Sequence, residues 1–103
     1  MDLKVDWSES ALASLTEAIE YIAKDSPSYA AALAVQAERA GTSLQELANR
    51  GRIVPEFKDP AVREIPVGKS YRLIYKAGGS DVNILAFVHT ARDLASLIEE
   101  TSW

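Results

Sequence analysis

The sequence contains no cysteine, so disulfides and thiolate metal sites are unavailable and a packed core has to hold the fold unaided. That absence suits a reducing cytoplasm, which is the expected location. No stretch approaches the roughly 20 apolar residues that span a bilayer, which removes the membrane class. Met1 to Trp7 alternates polar and apolar residues and lacks a basic stretch followed by an apolar run, so it reads as structure rather than a signal peptide. There is no internal repeat, low-complexity run or linker. An excess of positive charge is missing as well. Eleven Lys and Arg stand against 15 Asp and Glu, a net charge of -4, and this argues against nucleic acid as a default partner because phosphate binding needs a cationic face.

What is present is 103 residues, 48% of them hydrophobic, the size of one compact domain spanning residues 1–103. Charge is uneven along it. Residues 1–50 carry four basic and eight acidic side chains, whereas residues 52–92 carry seven basic and four acidic ones, enough for a modest basic face.

Leu3, Val5 and Trp7 alternate with Lys4 and Asp6, the period of a short half-buried strand. Ser8 suits a helix N-cap, and Leu12, Leu15, Ile19 and Ile22 follow at helical spacing, so a first helix is expected over about Glu9 to Lys24. Ser26-Pro27 starts a second helix, with Pro at the first helical position. Its apolar stripe, Ala30, Leu33, Ala34, Ala37, Leu44, Leu47 and Ala48, predicts a helix running to a cap at Gly51, with Gly41 as a weak point. The alanines imply close approach of the two helices in an antiparallel hairpin. Two prolines mark Arg52 to Pro60 as a loop. Strands are expected at Val62–Ile65, Tyr71–Ala77 and Val82–His89, the last two joined by a turn at Gly78-Gly79-Ser80-Asp81. A short terminal helix is expected over Asp93–Glu100. The order β-α-α-β-β-β plus that helix defines an α+β domain, the helical hairpin packed on a mostly antiparallel four-stranded sheet.

Six segments carry a resemblance from end to end: Trp7 closing the first strand; Ala18-Ile19-Glu20-Tyr21-Ile22-Ala23; Gly51-Arg52-Ile53-Val54-Pro55-Glu56; Val62-Arg63-Glu64-Ile65; Tyr71-Arg72-Leu73-Ile74-Tyr75; and Phe87-Val88-His89-Thr90-Ala91-Arg92-Asp93. Together they resemble the ParE-like toxins of the RelE/ParE superfamily, components of type II toxin-antitoxin systems. That resemblance implies a non-enzymatic inhibitor of DNA gyrase, without cofactor or metal, held by a cognate antitoxin in a heterotetramer or larger complex and making no sequence-specific nucleic-acid contact alone.

The ribosome-dependent nucleases of the same superfamily provide an alternative. In-line attack of a 2'-hydroxyl needs cations around the phosphate with a proton acceptor and donor. Arg72 matches the family's strand arginine, Arg63 falls near a basic position and Arg92 matches the arginine after the last strand. Ile65 stands where one such pattern has a lysine, and Ile98 where it has a tyrosine. In that alternative Arg72, His89 and Arg92 would be catalytic. A third reading is an inactive homologue that only binds antitoxin.

Under the leading reading, Arg63, Arg72, His89 and Arg92 form one cationic patch for the target, and Leu12, Leu15, Ile19 and Leu33 form the antitoxin surface. Each has a plainer role to set beside it. His89 is the one imidazole, the group best suited to proton transfer near neutral pH, but an imidazole at a strand end more often bonds the following turn. Arg72 could be an ordinary surface arginine, Asp93 a cap paired with Arg92, and Tyr71 and Tyr75 core aromatics. The Leu94–Trp103 tail could add to the target surface or fray.

Overall fold

Hydroxyl caps open both helices of the computed structural model, which describes residues 3–91. Ser8 accepts a hydrogen bond from the Ala11 amide at 3.0 Å and starts α1 (Glu9–Ala23); Ser26 accepts from the Tyr29 amide at 3.2 Å and, with Pro27 behind it, starts α2 (Pro27–Ser43). Each cap satisfies one of the backbone donors that the first helical turn leaves unpaired. Ala11, Leu15, Ala18 and Ile22 of α1 and Ala30, Leu33, Ala37 and Gly41 of α2 face inward. Gly41 sits at a close approach, since a Cβ there would lie 3.1 Å from Nε1 of Trp7.

The second helix ends at Ser43, eight residues before the expected cap at Gly51. Gly41, Thr42 and Ser43 are poor helix formers in succession, and the Ser43 hydroxyl turns back to donate to the Ala40 carbonyl at 2.6 Å. Leu44 is then fully buried, and residues 45–50 run as irregular turns. Tertiary bonds hold those turns: the Leu3 amide donates to the Gln45 carbonyl at 2.9 Å, and the Tyr75 hydroxyl donates to the Ala48 carbonyl at 2.7 Å.

Among the described residues five strands form the sheet, β1 (Lys4–Trp7), β2 (Arg52–Ile53), β3 (Val62–Val67), β4 (Tyr71–Gly78) and β5 (Asp81–His89), in the spatial order β1-β5-β4-β3-β2. β1 lies parallel to β5 and the other pairs are antiparallel. The fifth strand, absent from the four-stranded expectation, is β2: two residues beside Pro55, too short to show a period, paired with Glu64 and Arg63. A single 3-10 turn at Pro55–Phe57 follows it within the expected loop.

β3 also continues past Ile65 through Pro66 to Val67. The Val62 carbonyl accepts from the Val54 amide, so even-numbered residues of β3 direct their backbone groups away from β4. Pro66 has that parity and therefore breaks no rung of the β3–β4 ladder. The expected hairpin turn is present, with Gly79 at φ 59° between β4 and β5.

The β4–β5 register shifts between Ile74 and Tyr75, opposite Ala86 and Ile84, leaving Leu85 as the extra residue of a bulge. Side-chain parity on β5 changes there. Val82, Ile84 and Phe87 join Leu33, Leu44, Leu73 and Tyr75 in the core under the helices. Ala86 and Val88 join Val54, Val62 and Ile74 in a second core on the opposite face. This is why β5 is apolar on both sides. The Asp93–Glu100 helix expected from the sequence lies outside the described residues, as do Ile98 and the rest of the tail.

Candidate partner-binding surfaces

Strand parity divides the four proposed target residues. Ile65, Val67, Leu73 and Tyr75 lie on the helix side of the sheet, and Val62 and Ile74 on the other. Arg63 therefore shares the helix side, where its guanidinium donates to the Gly51 carbonyl at 2.8 Å. Arg72, cross-strand from Pro66, faces the opposite way. His89 lies beside Tyr71 on the helix side. Arg92 lies outside the described residues. The single patch expected from the sequence is thus corrected: the thickness of the sheet separates Arg72 from His89 and Arg63.

On the far face Arg72 is not an open cation. Its guanidinium donates to both oxygens of Glu64, at 3.1 and 3.3 Å, and Arg52 donates to the same carboxylate at 2.9 Å. Glu64 and Arg72 are largely covered, with side chains 11% and 16% exposed, while Arg52 stays in solvent. One carboxylate thus bridges two guanidiniums, a charge-assisted arrangement that fixes Arg72 in direction. Glu64 was not singled out in the sequence, because only the β3–β4 and β2–β3 registers bring it between these arginines.

On the helix side Tyr71 stacks on Phe87, ring centroids 5.1 Å apart, and His89 meets Tyr71 edge-on at 5.3 Å. The His89 Nδ1 accepts from the Ala91 amide at 3.1 Å, so the imidazole orders the turn after β5, as the plainer reading had it. A shallow groove of about 270 Å³ runs past it, bordered by Ser10, Ser14 and Glu17 of α1. Tyr71 and Tyr75 are core aromatics, Tyr75 fully buried and Tyr71 partly so.

The four apolar residues assigned to an antitoxin separate by burial. Leu12 is 47% exposed, and Leu15 and Ile19 are half-buried. Leu33 is fully buried in the main core and offers nothing to a partner docked on this fold, a correction that follows from its position on the inner side of α2. Among the described residues no cluster of His, Cys, Asp and Glu could hold a metal, and no helix is long and apolar enough to cross a membrane.

A third polar feature is the Tyr75 hydroxyl, which accepts from the Gly51 amide at 3.0 Å while donating to Ala48. Burial pushes this phenol above its ordinary pKa, against the opposing effects of the Gly51 hydrogen bond and the nearby Arg63 and Arg50 charges. Gly51 admits this contact because a Cβ there would lie 2.6 Å from the hydroxyl.

The sequence family described as the ParE toxin of type II toxin-antitoxin system, parDE, matches residues 5–94, from the first strand past the last. The chain belongs to the ParE toxin family. A solved structure described as a chromosomal ParDE TA system from P. aeruginosa is similar to this ParE-family chain with a TM-score of 0.70 at 20% identity, covering 84% of this chain and 95% of that one. A conserved hypothetical protein from Helicobacter pylori aligns at a TM-score of 0.45 and 13% identity, over 87% of this chain and 97% of that one. No curated protein matches the sequence. The first likeness supports the arrangement of two helices on a mostly antiparallel sheet; membership of the ParE family rests on the sequence match.

Proposed function

We propose that this chain is a toxin that arrests growth by binding DNA gyrase, without chemistry of its own, and that a cognate antitoxin neutralises it in the cytoplasm within a heterotetramer or larger complex. The observation that carries the reading is the Arg52-Glu64-Arg72 bridge. RNA cleavage by in-line attack needs cations and proton-transfer groups converging on one phosphate. In this chain the strand arginine is directed onto a carboxylate of its own sheet, and the one imidazole stands on the opposite face, bonded to its own turn. A binding mode asks less: fixed charged groups and a complementary surface. The partly exposed α1 residues Leu12, Leu15 and Ile19 form the apolar part of the antitoxin surface, suited to a segment that folds on contact.

The test is a purified gyrase supercoiling and DNA-cleavage assay run beside an in vitro translation assay, each with the wild-type chain and Arg72→Ala. Loss of supercoiling with accumulation of cleaved DNA, and intact translation, is expected for the wild type, with Arg72→Ala weaker. Ribosome-dependent cutting of messenger RNA with normal gyrase turnover would overturn the proposal. Normal growth on expression of the chain alone would point to the inactive, antitoxin-binding homologue.

A further inference from the structure

We propose that the groove between the C-terminal half of α2 and the β3–β4 turn is a docking site for the carboxylates of an acidic peptide segment on a partner protein, a proposal that rests on the antitoxin-bound reading above only for who that partner is. The groove encloses about 260 Å³ and is bordered by Gln36, Arg39, Arg50, Pro66, Val67 and Gly68.

Its two arginines differ from the cations that have carboxylate partners. Arg52 and Arg72 share Glu64, Lys76 has Asp59 and Lys4 has Asp6. Among the described residues the Arg39 side chain makes no hydrogen bond or ion pair, and Arg50 has no carboxylate partner. No Asp or Glu borders the groove. Arg50 is nonetheless held in place, because one of its guanidinium nitrogens donates to the Ser43 hydroxyl at 2.7 Å and that hydroxyl donates to the Ala40 carbonyl. A guanidinium carries five donors, so most of the Arg50 fork remains available at the mouth of the groove. Two guanidiniums bordering one groove without an internal counter-charge make a local positive site on a chain of net charge -4.

Geometry favours carboxylates over a nucleic-acid backbone. A polyphosphate strand needs a row of cations along its length. Here the positive site is short, two guanidiniums bordering one groove. Carboxylates in a peptide match two separate planar forks one at a time. Strand addition is also disfavoured at this place. Among the described residues the outer edge of β3 beyond Glu64 has no strand neighbour, and Pro66 there has no N–H to offer, so a peptide is held through its side chains rather than through a ladder.

An octaglutamate peptide titrated calorimetrically into the chain at low ionic strength tests this, with a single-stranded oligodeoxynucleotide as the competing ligand class. Replacing both arginines, Arg39→Ala with Arg50→Ala, is expected to weaken octaglutamate binding about fivefold to tenfold, the scale of two exposed charge contacts. A control pair with the same charge loss elsewhere, Lys24→Ala with Lys58→Asn, should leave it unchanged; Asn suits the left-handed backbone at position 58. Arg39→Ala alone touches no internal bond and should still weaken binding about twofold. Equal weakening by the control pair, no weakening by the arginine variants, or tighter binding of the oligonucleotide through the same arginines would overturn the proposal. The chain is titrated alone, so the outcome does not depend on gyrase inhibition: a failed gyrase assay with intact peptide binding overturns only the toxin mechanism, and the reverse result only the groove.

Discussion

Tyr75→Phe isolates the contribution of one hydroxyl to the fold. The ring would stay in the main core, packed with Leu33, Leu44 and Leu73, so no cavity larger than an oxygen forms. Two hydrogen bonds disappear: the one donated to the Ala48 carbonyl at 2.7 Å and the one accepted from the Gly51 amide at 3.0 Å. Gly51 is buried, and its amide would be left without a partner in a place water reaches poorly. Leaving a buried polar group unsatisfied costs roughly 1–3 kcal/mol, and in a domain of this size about 4–8 °C is lost per kcal/mol, so the melting temperature should fall by about 5–20 °C. Urea denaturation followed by circular dichroism should show a lower midpoint with an unchanged slope, the mark of a stability change without a change in compactness.

A second readout separates the hydroxyl from general damage. Because burial raises the Tyr75 pKa, the folded chain holds that proton to higher pH than the unfolded chain does. The stabilising effect is therefore complete below the ordinary tyrosine value of about 10 and is lost as pH rises through it toward the folded value. The wild type should lose stability over that alkaline window faster than Tyr75→Phe does. A variant with the wild-type midpoint and the wild-type alkaline slope would refute the claim that Tyr75 anchors the turns after α2.

Further expectations follow from the same contacts. Gly51→Ala would place a methyl group 2.6 Å from the Tyr75 hydroxyl and 2.8 Å from the Glu64 carbonyl oxygen, forcing the loop outward; a loss of roughly 1–3 kcal/mol in a denaturation experiment is expected. Glu64→Gln removes the carboxylate shared by Arg52 and Arg72, two partners of unequal exposure, and should cost about 1–2 kcal/mol, a loss that should shrink in high salt. Asp59 is held below its ordinary pKa by the Ala61 amide and, secondarily, by Lys76, so its stabilising effect is present above the ordinary aspartate range and is lost as pH falls through it. Asp59→Asn should accordingly flatten the acid limb of the stability profile slightly, as read by urea midpoints at neutral and acidic pH.

Much of the molecule is legible in the chain because its signals are local. Ser8 and Ser26-Pro27 announce helix starts within a few residues, the Gly79 turn needs only a backbone free to take positive φ, and alternation marks β1. The family is legible for a related reason, six short segments in order along the chain. The misread elements are those whose ends depend on distant atoms. Ser43 ends α2 where a continuing apolar stripe pointed on to Gly51, because bonds from Leu3 and Tyr75 capture the next residues in turns. Arg52–Ile53 becomes a strand only because Arg63 and Glu64 lie beside it.

The functional surfaces follow the same division. Sequence alone supplied the residue types, a cluster of late basic side chains, one imidazole and an apolar stripe on α1, because composition and period are properties of the chain. Which of them meet is a matter of register and face. A strand sends neighbouring side chains to opposite sides, so placing Glu64 against Arg72 and Arg63 against the Gly51 carbonyl needed the pairing of β2, β3 and β4. Those contacts join residues far apart in sequence, and only the folded chain brings them within hydrogen-bonding reach.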